Sequence, residues 1–169
     1  MAALVREVEK KVKRAPDSSL IQNIVQKTEK NKTLVRQYLD LFNQHNLDKV
    51  KELISPKHRF YLPNMEPMDW NQHMHLLSSV YYTAFPDLQI EIKEEDMIAG
   101  CNLISVPVKC TGTFDEEFQG IPPTREKVSF GALWIQDFDT NDRKESMLAE
   151  EWIIFNRVEV LQNLKPVPR

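Results

Sequence analysis

Apolar positions recur every three or four residues through the first half of the chain and alternate one-in-two through the second, which predicts helices first and strands later. Leu20 to Asn43 carries the longest helical pattern. Ile21, Ile24 and Val25 open it, Leu34, Val35, Tyr38, Leu39 and Phe42 continue it, and Lys30-Asn31-Lys32 is a weak point where it can break. Asn46 or Asp48 can cap a short helix over Val50 to Ile54 that Pro56 stops. Arg59 to Leu62 reads as a short strand and Pro63 to Pro67 as a loop. Asp69 is placed to cap a helix to about Thr83, with Leu76, Leu77, Val80, Tyr81 and Ala84 as its apolar face. Antiparallel strands follow over Leu88–Glu94, Met97–Ala99, Leu103–Phe114, Val128–Phe138 and Leu148–Val158. This order gives an α+β fold in which helices cover one face of a curved sheet.

Between the two longest strand patterns lies Thr111 to Val128. Gly120 admits a positive φ there, while Pro122 and Pro123 fix φ and remove two donors, so the segment predicts a rigid corner. Residues beside such a corner are placed to line a cavity mouth, although a purely structural corner accounts for the same residues.

Phe118-Gln119-Gly120-Ile121-Pro122-Pro123-Thr124 resembles the F-x-G-I-P-P-T signature of the SnoaL-like polyketide cyclases and ester cyclases, of the nuclear-transport-factor-2-like superfamily. Three further stretches agree in order: Asn31-Lys32 to Val35-Arg36-x-Tyr38 with Phe42-Asn43; Ala84-Phe85-Pro86-Asp87-Leu88; and Glu151-Trp152-x-x-x-Asn156 with Leu161-Gln162-x-Leu164. The resemblance spans about residues 30 to 165. It implies a cone, a curved and mostly antiparallel sheet wrapped by N-terminal helices around a cavity. It also implies a homodimer paired through the sheet face, a small apolar ligand, and chemistry that needs no cofactor. The organisation expected is an N-terminal basic arm or helix over residues 1–19, the SnoaL-like domain over 20–165, and a tail over 166–169.

A chain of 169 residues with a net charge of −3 is one ordinary domain, and gives no electrostatic reason to expect nucleic acid or an anionic membrane as partner. No run approaches the roughly 20 apolar residues that span a bilayer. Cys101 and Cys110, read as parts of one strand, would lie roughly 30 Å apart and on opposite faces, beyond disulfide reach. Two free thiols predict a reducing, cytoplasmic setting.

On the closing strand, Trp152, Ile154 and Asn156 share one face and Glu151, Ile153 and Phe155 the other. The resemblance makes Asn156 the counterpart of a cavity aspartate that acts as general acid/base, and Phe114 the counterpart of a histidine. Glu116 and Arg125 stand where the family has glycine. Asparagine exchanges no proton but can orient a carbonyl or polarise an enolate. His73 and His75 are the candidate bases; two positions apart on a helix they point about 200° apart, so at most one faces inward. The same geometry argues against a metal site. His45 and His58 lie near turns and are expected to be exposed, and Asp115-Glu116-Glu117 reads as a solvated rim. Phe114, Phe118, Trp134, Trp152, Tyr61 and Trp70 are the candidate ligand-binding aromatics, although core packing explains them equally well.

Three readings of function follow. One is a cyclase or isomerase acting on a polyketide-like carbonyl compound by proton transfer and enolate stabilisation. The second is a binding module of the same fold that lacks the acid/base pair, and the third is an interaction protein.

Overall fold

The structure, a computed structural model, describes residues 18–143 and 145–165. Nearly all of the expected N-terminal arm, and the tail, lie outside them. Helix α1 (Ser18–Asn43) and the short α2 (Leu47–Lys51) lead into strand β1 (Ile54–Tyr61). Helix α3 (Trp70–Leu76) runs on through a π-helical turn (Leu77–Tyr81) into a last helical turn (Tyr82–Ala84). Strands β2 (Gln89–Ile92), β3 (Ile98–Ala99), β4 (Leu103–Thr113), β5 (Lys127–Thr140) and β6 (Ser146–Phe155) follow, and α4 (Arg157–Asn163) closes the described chain. The strands form one curved, unclosed sheet in the order β1-β6-β5-β4-β2, with β3 on β4. The β1–β6 pair is parallel and the others antiparallel, so the sheet is mixed.

Helix α1 does not break at Lys30-Asn31-Lys32. Asn31 is buried there, and its Nδ2 donates to the Cys101 carbonyl at 2.9 Å. Only the second half of the helix packs: Val35, Tyr38, Leu39 and Phe42 enter the core, while Leu20, Ile21, Ile24 and Val25 stay exposed. Asn46 is the cap of α2, its side chain accepting from the Lys49 amide, but the helix spans Leu47–Lys51 and Ile54 already belongs to β1. Pro56 does not stop a helix. It lies exposed in β1, an edge strand whose register slips between Ile54 and Arg59, where a missing N–H is tolerated. Asp69 does cap α3, in a reciprocal capping box with Gln72. Cys101 lies in the turn before β4 and is exposed, whereas Cys110 is buried in the strand; both thiols are free.

The resemblance motifs hold joints of this frame. The Asn43 side chain donates to the Ile90 carbonyl and accepts from the Ile90 amide, pinning α1 to the edge strand β2. The Asp87 carboxylate accepts from the backbone amide and hydroxyl of Thr113, closing the end of β4, and these bonds hold it below the usual carboxylate range. Phe118 and Ile121 exchange both backbone hydrogen bonds, at 3.1 and 3.0 Å, around Gln119 (φ 52°) and Gly120 (φ 80°). Two positive φ values in a two-residue loop make a type I′ turn, so the corner is a tight hairpin.

Candidate active site

The inward faces of the sheet and helices enclose a cavity of about 90 Å³, predominantly apolar in its walls. Its polar wall is built around Glu151 of β6, which is 1% exposed. Strand alternation sends Glu151, Ile153 and Phe155 into the cavity and Trp152 and Ile154 to the opposite face. The His58 ring on β1 meets the carboxylate, with Nε2 3.0 Å from Oε1. Trp134 on β5 donates Nε1–H to Oε2 at 3.1 Å. His73 on α3 brings Nδ1 to 3.4 Å from Oε1, within ion-pair range but too poorly aligned for a full hydrogen bond. Its ring lies flat on Phe60, centroids 3.5 Å apart and planes 4° apart, which fixes its orientation. Trp70 meets both histidine rings edge-on, at 6.0 and 6.1 Å.

Burial alone would push the Glu151 carboxyl up. The hydrogen bond from His58, the contact with His73 and the charges of both rings pull it down, and they prevail, holding it at about 2. A carboxylate has only acceptor sites, so His58 donates Nε2–H to it, and the same negative charge favours a proton on the facing Nδ1 of His73. That tautomer leaves Nε2 of a neutral His73 as a lone-pair acceptor. Tyr38 of α1 also lines the cavity; burial and the nearby Glu151 charge raise its hydroxyl well above the usual tyrosine value, so it remains a donor. Burial pushes the Cys110 thiol up to about 12, which removes it as a nucleophile. Among the described residues no group of three or more His, Cys, Asp or Glu side chains is arranged to hold a metal ion.

The structure brings some of the expected site residues together and disperses others. His73, Phe118 and Trp134 line the cavity. His75 is exposed on the other side of α3. Asn156 is exposed as well: β6 ends at Phe155, and the Asn156 side chain caps α4 by accepting from the amides of Val158 and Glu159. The strand parity expected for Asn156 put it on the Trp152 face, and that face looks out of the cone. Tyr61 and Trp152 stack on each other there at 4.9 Å, away from the cavity. Phe114 is buried against Phe85, and Trp70 packs behind the histidines; neither lines the cavity. His58, expected to be exposed, is 2% exposed. His45 and Asp115-Glu116-Glu117 are exposed as expected.

A sequence model of the SnoaL-like polyketide cyclases matches residues 32–164. The chain belongs to the SnoaL-like polyketide cyclase family. No curated protein sequence matches it. Among solved structures, AclR of Streptomyces galilaeus, provisionally named a hydroxylase, superposes with a TM-score of 0.69 at 23% identity, over 83% of this chain and 99% of its own. IdmH of Streptomyces antibioticus, provisionally named a polyketide cyclase, gives 0.67 at 22% identity, over 79% and 96%. PrhC of Penicillium brasilianum gives 0.65 at 12% identity, over 80% and 86%. These likenesses establish the nuclear-transport-factor-2-like fold, and the family makes a general cyclase or isomerase kind of activity the frame for the site.

Sequence reasoning missed Glu151, His58, Tyr38 and Arg157. The signal for Glu151 was present as a carboxylate on the strand face shared with Ile153 and Phe155. That arrangement demands a buried partner or an exposed face.

Proposed function

We propose that this SnoaL-like protein is a cofactor-independent cyclase or isomerase in which His73, oriented by Glu151, moves a proton on a small apolar carbonyl compound. Nε2 of neutral His73 takes the proton from the carbon beside the carbonyl, and the electron pair of that C–H bond becomes the enolate. Glu151 faces the imidazolium that forms and offsets its charge in a dry site. The Tyr38 hydroxyl donates to the enolate oxygen. Ring closure is an aldol step: the enolate carbon attacks a second carbonyl of the same folded molecule, and the resulting alkoxide takes the proton back from His73. The enclosing apolar walls hold the flexible substrate folded. The observation that carries this reading is the His73–Glu151 contact on the cavity wall.

A second reading is favoured by the three donors that already surround Glu151, which suit a purely structural buried carboxylate. The protein then binds an apolar molecule without turning it over. Exchange of the enolisable protons of methyl benzoylacetate in deuterated water separates the two. Catalysed exchange above the buffer rate supports proton transfer, and exchange at the buffer rate with demonstrable binding sinks it.

The homodimer stays part of the proposal. The outer sheet face carries exposed Leu133 and Ile154 beside the Tyr61–Trp152 stack, an apolar surface for a second copy. Sedimentation as a monomer at micromolar concentration would contradict it. No helix among the described residues is long and apolar enough to cross a membrane.

A further inference from the structure

The cavity has a second polar feature, far from Glu151. Beyond Phe155 the chain leaves β6 and turns into α4, and Arg157 at its start lines the cavity while remaining exposed to solvent. Its Nη2 donates to Oε1 of Gln119 at 2.7 Å. Gln119 also lines the cavity, and the type I′ turn holds its backbone at φ 52°. These two side chains therefore form a positioned bridge across the mouth between the corner hairpin and α4. Phe118, Tyr81 and Leu161 also line the cavity, the Tyr81 ring lying against Phe118. Tyr81 is within electrostatic reach of the guanidinium: burial and Cys110 raise its hydroxyl, and Arg157 acts the other way.

Among the described residues no carboxylate forms an ion pair with Arg157; its hydrogen-bond partner is a neutral amide. A guanidinium presents five donors in a planar fork suited to a carboxylate, and one bond to an amide oxygen leaves most of that capacity unused. From Glu151 to Phe155 the inward wall spans four residue steps, roughly 13 Å of strand. The cation therefore lies at the opposite end of the cavity from the proton-transfer wall.

We propose that Arg157 is a specificity-determining residue that recognises a carboxylate at one end of an otherwise apolar substrate, exchanging its bond to Gln119 for a two-pronged bond to the anion. The substrate class is thus a carbonyl compound with an acidic tail, whose reacting carbon lies at the Glu151 end and whose carboxylate stays at the mouth. The inference rests on the cavity being the substrate site, and it deepens the proton-transfer reading without depending on turnover.

The test titrates the full chain calorimetrically with decanoate and with decanamide, the same chain carrying a neutral end. Decanoate is expected to bind about tenfold more tightly, the scale of one charge-assisted hydrogen bond, with the margin shrinking as salt is added. Arg157→Gln should abolish the margin by weakening decanoate alone, and Arg157→Lys should keep part of it. Equal binding of the two probes, a preference that survives Arg157→Gln, or binding of neither probe would each overturn the inference. Neither probe carries a carbonyl pair to enolise, so the result is independent of proton exchange on methyl benzoylacetate. Loss of exchange with the anion preference intact would sink the catalytic reading alone.

Discussion

His73 Nδ1 and Glu151 Oε1 lie 3.4 Å apart on the wall of an apolar cavity, with the imidazole clamped flat against Phe60. The contact is close enough for the carboxylate to select the Nδ1–H tautomer. It is also loose enough to tighten in the proposed reaction, where His73 takes up the substrate proton and Glu151 orients it. His58 and Trp134 each donate one hydrogen bond to Glu151, one to each carboxylate oxygen. The carboxylate is thereby held ionised where water cannot solvate it, and it serves as a fixed charge.

Glu151→Gln should be strongly destabilising. The amide NH2 of glutamine would face a donor now bonded to a carboxylate oxygen, and the buried histidines would lose their anion. Breaking a buried pair from one side costs about 3 kcal/mol or more. Urea unfolding at neutral pH measures it; a loss below about 1 kcal/mol would show that the cluster relaxes freely.

Acid should unfold the protein through the same group. The folded-state value of Glu151 lies below its ordinary 4.5, at about 2. Its contribution is therefore fully present above pH 4.5 and is lost as pH falls toward about 2. Urea midpoints of the wild type should drop across that window, and those of Glu151→Gln should drop less. Parallel curves would remove Glu151 as the source.

Asn156 should behave as a helix cap. Asn156→Ala is expected to cost about 1 kcal/mol of stability, and Asn156→Asp, which keeps an acceptor, much less. Neither should change proton exchange on methyl benzoylacetate, since the side chain is exposed and bonded to Val158 and Glu159. A large loss of exchange in Asn156→Ala with stability intact would return Asn156 to the site.

The corner offers a pair of opposite substitutions. Arg125 sits at φ 58°, in the left-handed region, where the family resemblance places glycine. Arg125→Gly should gain about 0.5 kcal/mol, the relief of backbone crowding less the added freedom of the unfolded chain. Gly120→Ala should lose about 1 kcal/mol although an added Cβ meets nothing within 4 Å, because φ 80° alone penalises it. Thermal unfolding of the two variants decides it, and a shift of both in the same direction would contradict this account.

Most of the fold was legible because its signals are local. The Asp69 cap, the alternation in β4, β5 and β6, and the corner at Gly120 all act within a few residues. Pro56 misled because a proline says only that one N–H is missing; a slipped edge strand absorbs that as readily as a helix end does. The site was legible in part. His73 could be reached from sequence as one of two alternatives, since helical geometry allowed only one inward histidine. Glu151 and His58 were out of reach because their pairing depends on the parallel register of β1 on β6, which no local pattern encodes. Asn156 was misplaced for a related reason: parity assigns residues to two faces but does not say which face is concave.

The most direct test of the central claim is deuterium exchange on methyl benzoylacetate, followed by proton magnetic resonance for the wild type, His73→Gln and His75→Gln side by side. The account predicts that His73→Gln slows the catalysed exchange about 100-fold or more, the scale of a lost general base, while exposed His75→Gln leaves it unchanged. Equal rates in the wild type and His73→Gln, with the variant folded, would contradict it.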